Sequence, residues 1–376
     1  MKNPLARIPE FGQSIWLDYI KRSFTQGGEL KKLIDEDGLR GVTSNPAIFE
    51  EAIAHSSDYD DTIAELNQQN LSAEEVFLKI AIEDVQTAAD LFKGVYESTD
   101  ALDGYVSLEV SPSLALDTQG SIDEARSSWK TLDRKNVMIK IPGTEPGLPA
   151  IKELISDGIN VNVTLLFSLE RYRAVAETYV DGLEQRAARG EAIDHVASVA
   201  SFFLSRIDTV VDPLLDKIIS ENGDDHTIAS QLKGKIAIAS ARDAYAIYKE
   251  VFGSERFKAL EAKGAKPQRL LWASTGVKNK DYSPLMYIEA LIGPDTVNTV
   301  PKETLEIYRE SGSPADRLEN GIGEARHELY LLENKLGIDL NAITKKLEEE
   351  GIQKFIKPFE SLMKVISDKR EQIKAE

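Results

Sequence analysis

Several stretches of the sequence place polar side chains where a buried strand should carry apolar ones. In Val137-Met-Ile-Lys140-Ile, the residues Val137, Ile139 and Ile141 share one face and Lys140 falls on the other, because side chains alternate across a strand. Its flanks are apolar, and Pro142 follows at once. Desolvation in such a setting weakens an amine's hold on its proton and frees it to attack a carbonyl and form a Schiff base. The competing reading is a strand-end lysine that snorkels to solvent. One strand earlier, Ser107, Glu109 and Ser111 oppose Val106, Leu108 and Val110. Glu109 could move protons during a condensation at Lys140, or form a structural ion pair with it. Asp18, after Ile15-Trp16-Leu17, could be a general base or a helix cap. Asn160, Asn162 and Thr164 oppose Val161, Val163 and Leu165. Asn162 and Thr164 could hold substrate hydroxyls or a catalytic water, or satisfy backbone groups. Asn45, Ser201 and Ser274 also fall near strand ends, and Asn45, which precedes Pro46, has a turn role as its alternative. Arg206, three residues after Phe203, and Lys278, after Ser274-Thr-Gly-Val, could each clamp a phosphate or pair with a surface carboxylate.

Eight short runs rich in Val, Ile, Leu and Phe would carry these residues: 14–18, 40–45, 105–111, 136–141, 160–167, 196–203, 269–274 and 296–300. They alternate with longer amphipathic stretches, which is the pattern of βα units around a parallel sheet. Eight such units predict an α/β fold of the (β/α)8 TIM-type barrel class with extra helices, whose active site lies at the C-terminal ends of the strands. An open doubly wound sheet is the alternative, but no Gly-x-Gly-x-x-Gly and no Walker loop occurs. The apolar faces would meet the outer helices, and the polar faces would point into the barrel. Charged groups there cost desolvation unless each finds a partner.

Helices are expected over 121–130, 169–189 and 73–92, with at least two helices in 46–103 and two or three in 207–267. Lys235 to Ala241 alternates like a strand, yet its Ala-rich continuation to Phe252 favours helix. The catalytic barrel would occupy 1–312, with helical insertions at about 46–103 and 207–267. Residues 313–376 read as a charged helical extension with Leu347, Ile352, Ile356, Phe359, Leu362 and Ile366 as its buried stripe, kinked or broken at Pro358. That extension could cap the barrel floor, lie across the active-site mouth or form a subunit contact. Packing on the barrel is the simplest of these, and a homodimer is one further option.

Composition narrows the function. Asp and Glu number 63 against 45 Lys and Arg, a net charge of −18, which argues against a binder of nucleic acid or an anionic membrane, since these need a basic face. An anionic substrate must instead be held by local cations working against the overall field. There is no cysteine, which removes thiol nucleophiles, disulfides and thiolate-bound metals. The four histidines are scattered, so no metal site and no cofactor is expected, although a carboxylate Mg²⁺ site stays open. The longest charge-free run, Gly158 to Leu169, is twelve residues, short of the about 20 that span a bilayer. With no apolar leader at the N-terminus, a cytoplasmic location is expected.

Five blocks together resemble the transaldolase family. They are Gly41-Val-Thr-Ser-Asn45-Pro-Ala-Ile-Phe49, Val106-Ser-Leu-Glu109-Val-Ser, Val137-Met-Ile-Lys140-Ile-Pro-Gly-Thr144, Asn162-Val-Thr164-Leu-Leu-Phe167-Ser and Ser201-Phe-Phe-Leu-Ser-Arg206-Ile-Asp. The resemblance covers about residues 14–310 and is closest to the family's longer form. It implies transfer of a dihydroxyacetone unit from sedoheptulose 7-phosphate to glyceraldehyde 3-phosphate, in the non-oxidative pentose phosphate pathway. By this likeness Lys140 matches the Schiff-base lysine, and Glu109 the glutamate that works through a water held with Thr164. Asp18 matches the base for the C4 hydroxyl, and Asn45 and Asn162 the asparagines on the dihydroxyacetone hydroxyls. Ser201, Phe203 and Arg206 would line the site, with Arg206 on the phosphate. The shorter form has an arginine two residues after the serine matching Ser274. Gly276 stands there in this chain, which leaves Lys278 for that cation. Sugar phosphates are then the implied partners. A fructose 6-phosphate aldolase-like activity is the nearest rival, and a non-catalytic sugar-phosphate-binding barrel the rival of another class.

Overall fold

Eight strands form in chain order: β1 Gln13–Asp18, β2 Gly41–Thr43, β3 Tyr105–Glu109, β4 Val137–Pro142, β5 Val161–Leu166, β6 Ser198–Phe203, β7 Arg269–Ala273 and β8 Thr296–Val300. The computed structural model describes residues 3–221 and 223–375. Each strand pairs in parallel with the next, and β8 returns to β1, so the sheet is a closed barrel as expected. The strand ends are trimmed where caps intervene. β2 stops at Thr43 because Asn45 caps the helix Pro46–Ala54, accepting a bond from Ile48 N at 3.1 Å, with Pro46 opening the helix. β3 stops at Glu109 because Pro112 begins a short 3₁₀ turn.

The register sets the chemistry side by side. Glu109 on β3 lies opposite Lys140 on β4, and Lys140 opposite Asn162 on β5. The polar faces do turn inward. Asn162 donates to Ser107 Oγ at 3.1 Å, although β5 and β3 are not neighbours in the sheet, so the bond crosses the barrel interior. β5 carries one irregularity, a register shift between Val163 and Leu166 against β6, where Leu165 takes φ of +62°. A non-glycine residue there stores strain, and such bulges re-aim side chains at a strand end. The floor is plugged by a buried Arg269–Asp103 ion pair at 2.9 Å, with Ser14 bonded to both.

The helices differ from expectation in number and start. Residues 46–103 hold three, in keeping with the expected minimum of two, the longest being Ala73–Ser98, which Ser72 and Glu75 open with a reciprocal capping box. Four helices cover 205–261 rather than two or three, because two of them, His226–Leu232 and Glu255–Glu261, are only seven residues long. The helix expected from Ser121 begins at Thr118, capped by Asp117 through Gly120 N at 3.0 Å. The segment Ile236–Phe252 is helical, as its alanine content implied.

In the C-terminal segment the break that Pro358 allowed does not occur. The helix Leu340–Ala375 runs through Pro358 without a break. Proline removes one amide donor, so the carbonyl four residues back, that of Lys354, loses its helical partner while the helix continues. Leu347, Ile352, Leu362 and Ile366 are buried and join the single core, with Ile356 and Phe359 packed at its edge. The helix rests on Pro46–Ala54, Asp60–Asn67 and Ala73–Ser98 and reaches the end of β5. It therefore lies across the C-terminal mouth of the barrel. Among the described residues no helix is long and apolar enough to cross a membrane.

Candidate active site

A cavity of about 200 Å³ opens at the C-terminal ends of the strands. Asp18, Asn45, Lys140, Thr164, Ser201, Phe203, Arg206 and Ser274 all line it, contributed by the ends of six strands and the loops that follow them. Lys140 is 5% exposed. Its Nζ donates to the Ser44 carbonyl at 2.9 Å and to Glu109 Oε2 at 3.1 Å. The structure therefore shows the ion pair read for Glu109, a reading compatible with a catalytic one, with its amine on the cavity wall. The lysine does not snorkel outward.

Two carboxyls flank this amine. Burial pushes Glu109 above the usual carboxylate range, Lys140 pulls it back, and Asp18 raises it further. Burial also raises Asp18, against the pull of Lys140 and the hydrogen bond that Thr43 Oγ1 donates at 2.8 Å. Thr43 in turn bonds Thr299 Oγ1 at 2.7 Å, so Asp18 is held from β2 and β8 and does not cap a helix. Asp18 and Glu109 sit at the ends of β1 and β3 with the amine from β4 between them in charge. The arrangement supplies a nucleophile with two candidate proton carriers, Asp18 in the same cavity and Glu109 in direct contact with the amine.

Asn45 performs its cap and still faces the cavity. Asn162 is fully buried beneath it, donating to Ser107 and accepting from Ser201 Oγ at 2.7 Å. Thr164 Oγ1 is buried, lines the cavity and has no hydrogen-bond partner in the protein. Arg206 places its guanidinium 5.6 Å from the Phe203 ring centre, and its Nη1 is likewise buried and unpartnered. Burial lowers the Arg206 pKa, and the Glu350 carboxylate offsets part of that. Ser274 bonds Ser205 Oγ at 2.9 Å and holds φ of +54° at the strand end.

The chain aligns closely with known proteins. A profile of the Transaldolase/Fructose-6-phosphate aldolase family matches residues 15–366. This chain belongs to that family. It is 47% identical to transaldolase 2 of a Nostoc species and 48% identical to the transaldolase of Trichodesmium erythraeum, each over 98% of this chain and 97% of the relative. It is 44% identical to the transaldolase of Saccharopolyspora erythraea over 98% of both chains.

Two placements differ from what the sequence led us to expect. Lys278 is exposed and stands outside the cavity, on a separate cleft with Asp208, Asp212 and Asp216. Glu109 points its carboxylate at Lys140 yet lines a neighbouring apolar cavity of about 210 Å³, which it shares with Asn45 and Phe359. Sequence reasoning missed Lys354 and Phe355, which reach the cavity from the C-terminal helix, with the Lys140 amine 5.8 Å from the Phe355 ring centre. It also missed Thr43 and the Ser44 carbonyl as the groups that fix Asp18 and Lys140. Their block, Gly41 to Phe49, had been singled out, but neither residue had been given a role. Among the described residues no cluster of carboxylates and histidines could hold a metal ion.

Proposed function

We propose that the protein is a transaldolase that moves a dihydroxyacetone unit from sedoheptulose 7-phosphate to glyceraldehyde 3-phosphate, giving erythrose 4-phosphate and fructose 6-phosphate. The observation that carries this reading is the Lys140 amine, held between the Ser44 carbonyl and Glu109 on the wall of a cavity that also holds Asp18. Lys140 attacks the ketose C2 carbonyl. The C2 oxygen leaves as water, with the protons carried by Glu109 and a water held by Thr164, and an iminium forms. The iminium draws electrons, so the C3–C4 bond breaks as Asp18 takes the C4 hydroxyl proton. The C3–C4 electron pair becomes the enamine, and the aldose phosphate departs. A second aldose phosphate then accepts the enamine carbon, Asp18 returns its proton to the new hydroxyl, and water releases the ketose.

Asn45 and Asn162 orient the dihydroxyacetone hydroxyls, Ser201 and Phe203 form the wall, and Arg206 meets the phosphate. These roles rest on position: each side chain except Asn162 reaches the cavity, and Asn162 is locked by Ser107 and Ser201 directly below it. Sugar phosphates are the donor and acceptor, and a cytoplasmic enzyme is the matching setting.

The test is covalent trapping. Incubation with fructose 6-phosphate and borohydride is expected to add a reduced three-carbon unit, mapped to Lys140 by mass. Lys140→Ala should fold, give no adduct and lose turnover. Full turnover by that variant would end this mechanism. A simple aldolase of the same family would release dihydroxyacetone at the same rate with or without an acceptor aldose, whereas a transaldolase releases it slowly when no acceptor is present.

A further inference from the structure

The cavity holds three cations: Lys140, Arg206 and Lys354. Lys140 is already taken by Glu109 and the Ser44 carbonyl. Arg206 keeps a buried guanidinium nitrogen with no partner in the protein. A buried charged donor left bare is costly, and the cost is recovered when an anion meets it. Lys354 projects from the C-terminal helix and has only a loose ion pair, 3.7 Å from Glu350, with its side chain 54% exposed at the mouth. One helical turn before it, Gly351 lies against Arg206. A Cβ at position 351 would stand 3.1 Å from Leu165, 3.4 Å from Phe167 and 3.7 Å from Arg206 Nη1. The missing side chain lets the helix settle close onto the barrel rim beside the guanidinium, which brings Lys354 to the same opening.

We propose that Lys354 is the second phosphate-binding cation of the substrate site, acting with Arg206 from across the mouth, and that Glu350 is the internal counter-ion a bound phosphate displaces. This inference rests on the sugar-phosphate reading above and deepens it. Lys278 lines a different cleft, with its amine 3.9 Å from where a Cβ on Gly276 would stand, whereas Lys354 lines the substrate cavity itself. The loose Glu350 contact costs little to break, since exposed pairs of this kind are weak. Glu350 also carries the same sign as the phosphate, and it is the carboxylate acting on Arg206. It therefore tunes the site against binding its anion too tightly.

Calorimetric titration with glycerol 3-phosphate tests the assignment, because this ester has no carbonyl and its binding is independent of Lys140 chemistry. Lys354→Met is expected to weaken binding by roughly tenfold, the effect of losing one partly exposed charged contact. Lys354→Arg should restore most of it, Lys278→Met should bind as the parent does, and Glu350→Gln should bind more tightly. Far-UV circular dichroism checks that each variant is folded, and Lys354, being exposed, is not needed for the core. Parent-like binding by Lys354→Met overturns the proposal. So does an equal loss in Lys278→Met, or a parent protein that binds no glycerol 3-phosphate. If this binding pattern holds but borohydride traps no adduct, the catalytic reading falls and the anion site stands. If trapping succeeds but the pattern fails, only the Lys354 assignment falls.

Discussion

At the scale of single residues, the site is organised around proton control at one amine. Asp18 and Glu109 are both raised by burial and both restrained by Lys140. A carboxyl that must be ionised to accept a proton loses that ability as pH falls through its folded pKa, so the shift moves the acid limit of activity upward. The acid limb of kcat/KM for ketose cleavage is therefore expected at a midpoint above about 4, the ordinary carboxylate value. A limb at or below that value would contradict the environment described for these two groups. Asp18→Asn, which keeps an acceptor for Thr43 but cannot take the C4 proton, should retain the borohydride adduct formed with dihydroxyacetone and lose at least about a hundredfold in cleavage rate. Most of these residues were legible because a charge or amide inside an apolar alternation has no bland explanation once several share one strand face. Thr43 and the Ser44 carbonyl were not legible as supports, since a threonine in a strand is ordinary and a backbone carbonyl leaves no mark in sequence.

At the scale of elements, the helix Leu340–Ala375 brings aromatic and cationic groups over the strand ends. Its far half is pinned by Lys369 to Asp60 at 2.6 Å, by Ser361 to Glu50 at 3.0 Å and by Phe359 packed edge-on to Phe77. Its near half is tied by Glu348 to Arg171 at 3.4 Å. Anchored at both sides, it holds Phe355 with its ring centre 5.8 Å from the amine, where the ring would stand between an enamine on Lys140 and water. Phe355→Ala should raise dihydroxyacetone release in the absence of acceptor, relative to transfer, by about an order of magnitude, the scale of effect that water exclusion has on a protonation-sensitive intermediate. An unchanged ratio of hydrolysis to transfer would remove this role. The strands and their order could be read because each repeats the same apolar alternation, whereas this helix shows only a charged surface with a core stripe. Nothing in such a pattern tells which of its exposed residues will overhang a cavity. The two seven-residue helices were missed for a related reason, being too short to show a periodicity. Pro358 does not break the helix because the loss of one hydrogen bond is tolerated where the buried stripe on either side keeps it docked.

At the scale of the whole molecule, stability carries an internal cost at Asp208. Its carboxylate accepts bonds from Ala237 N and from the Tyr287 hydroxyl, both at 2.8 Å, tying the helix Ser205–Glu221 to the start of Ile236–Phe252 and to the segment after β7. Burial nonetheless pushes its pKa up to about 6 from an ordinary 3.8. The folded state thus holds this proton more tightly than the unfolded chain, so the contribution of Asp208 to stability falls as pH rises between those values and stays low above them. Comparing urea unfolding of the parent with that of Asp208→Asn isolates the effect. The parent should lose about 2 kcal/mol relative to the variant between pH 4 and pH 7. A difference that does not change with pH would show that the carboxylate is not strained by burial. The net charge of −18 works in the same direction at this scale, since an acidic molecule binding anionic sugars depends on a few cations placed at one opening.

The ring of strands is sealed only when β8 finds β1, and the helix that roofs the ring starts forty residues later along the chain. During synthesis from the N-terminus, the reactive amine is in place before anything shelters it. A ribosome-bound chain from which β8 has emerged while Leu340–Ala375 has not would thus hold a formed crucible without its cover. It would be able to capture a ketose yet spill the fragment to water instead of handing it on.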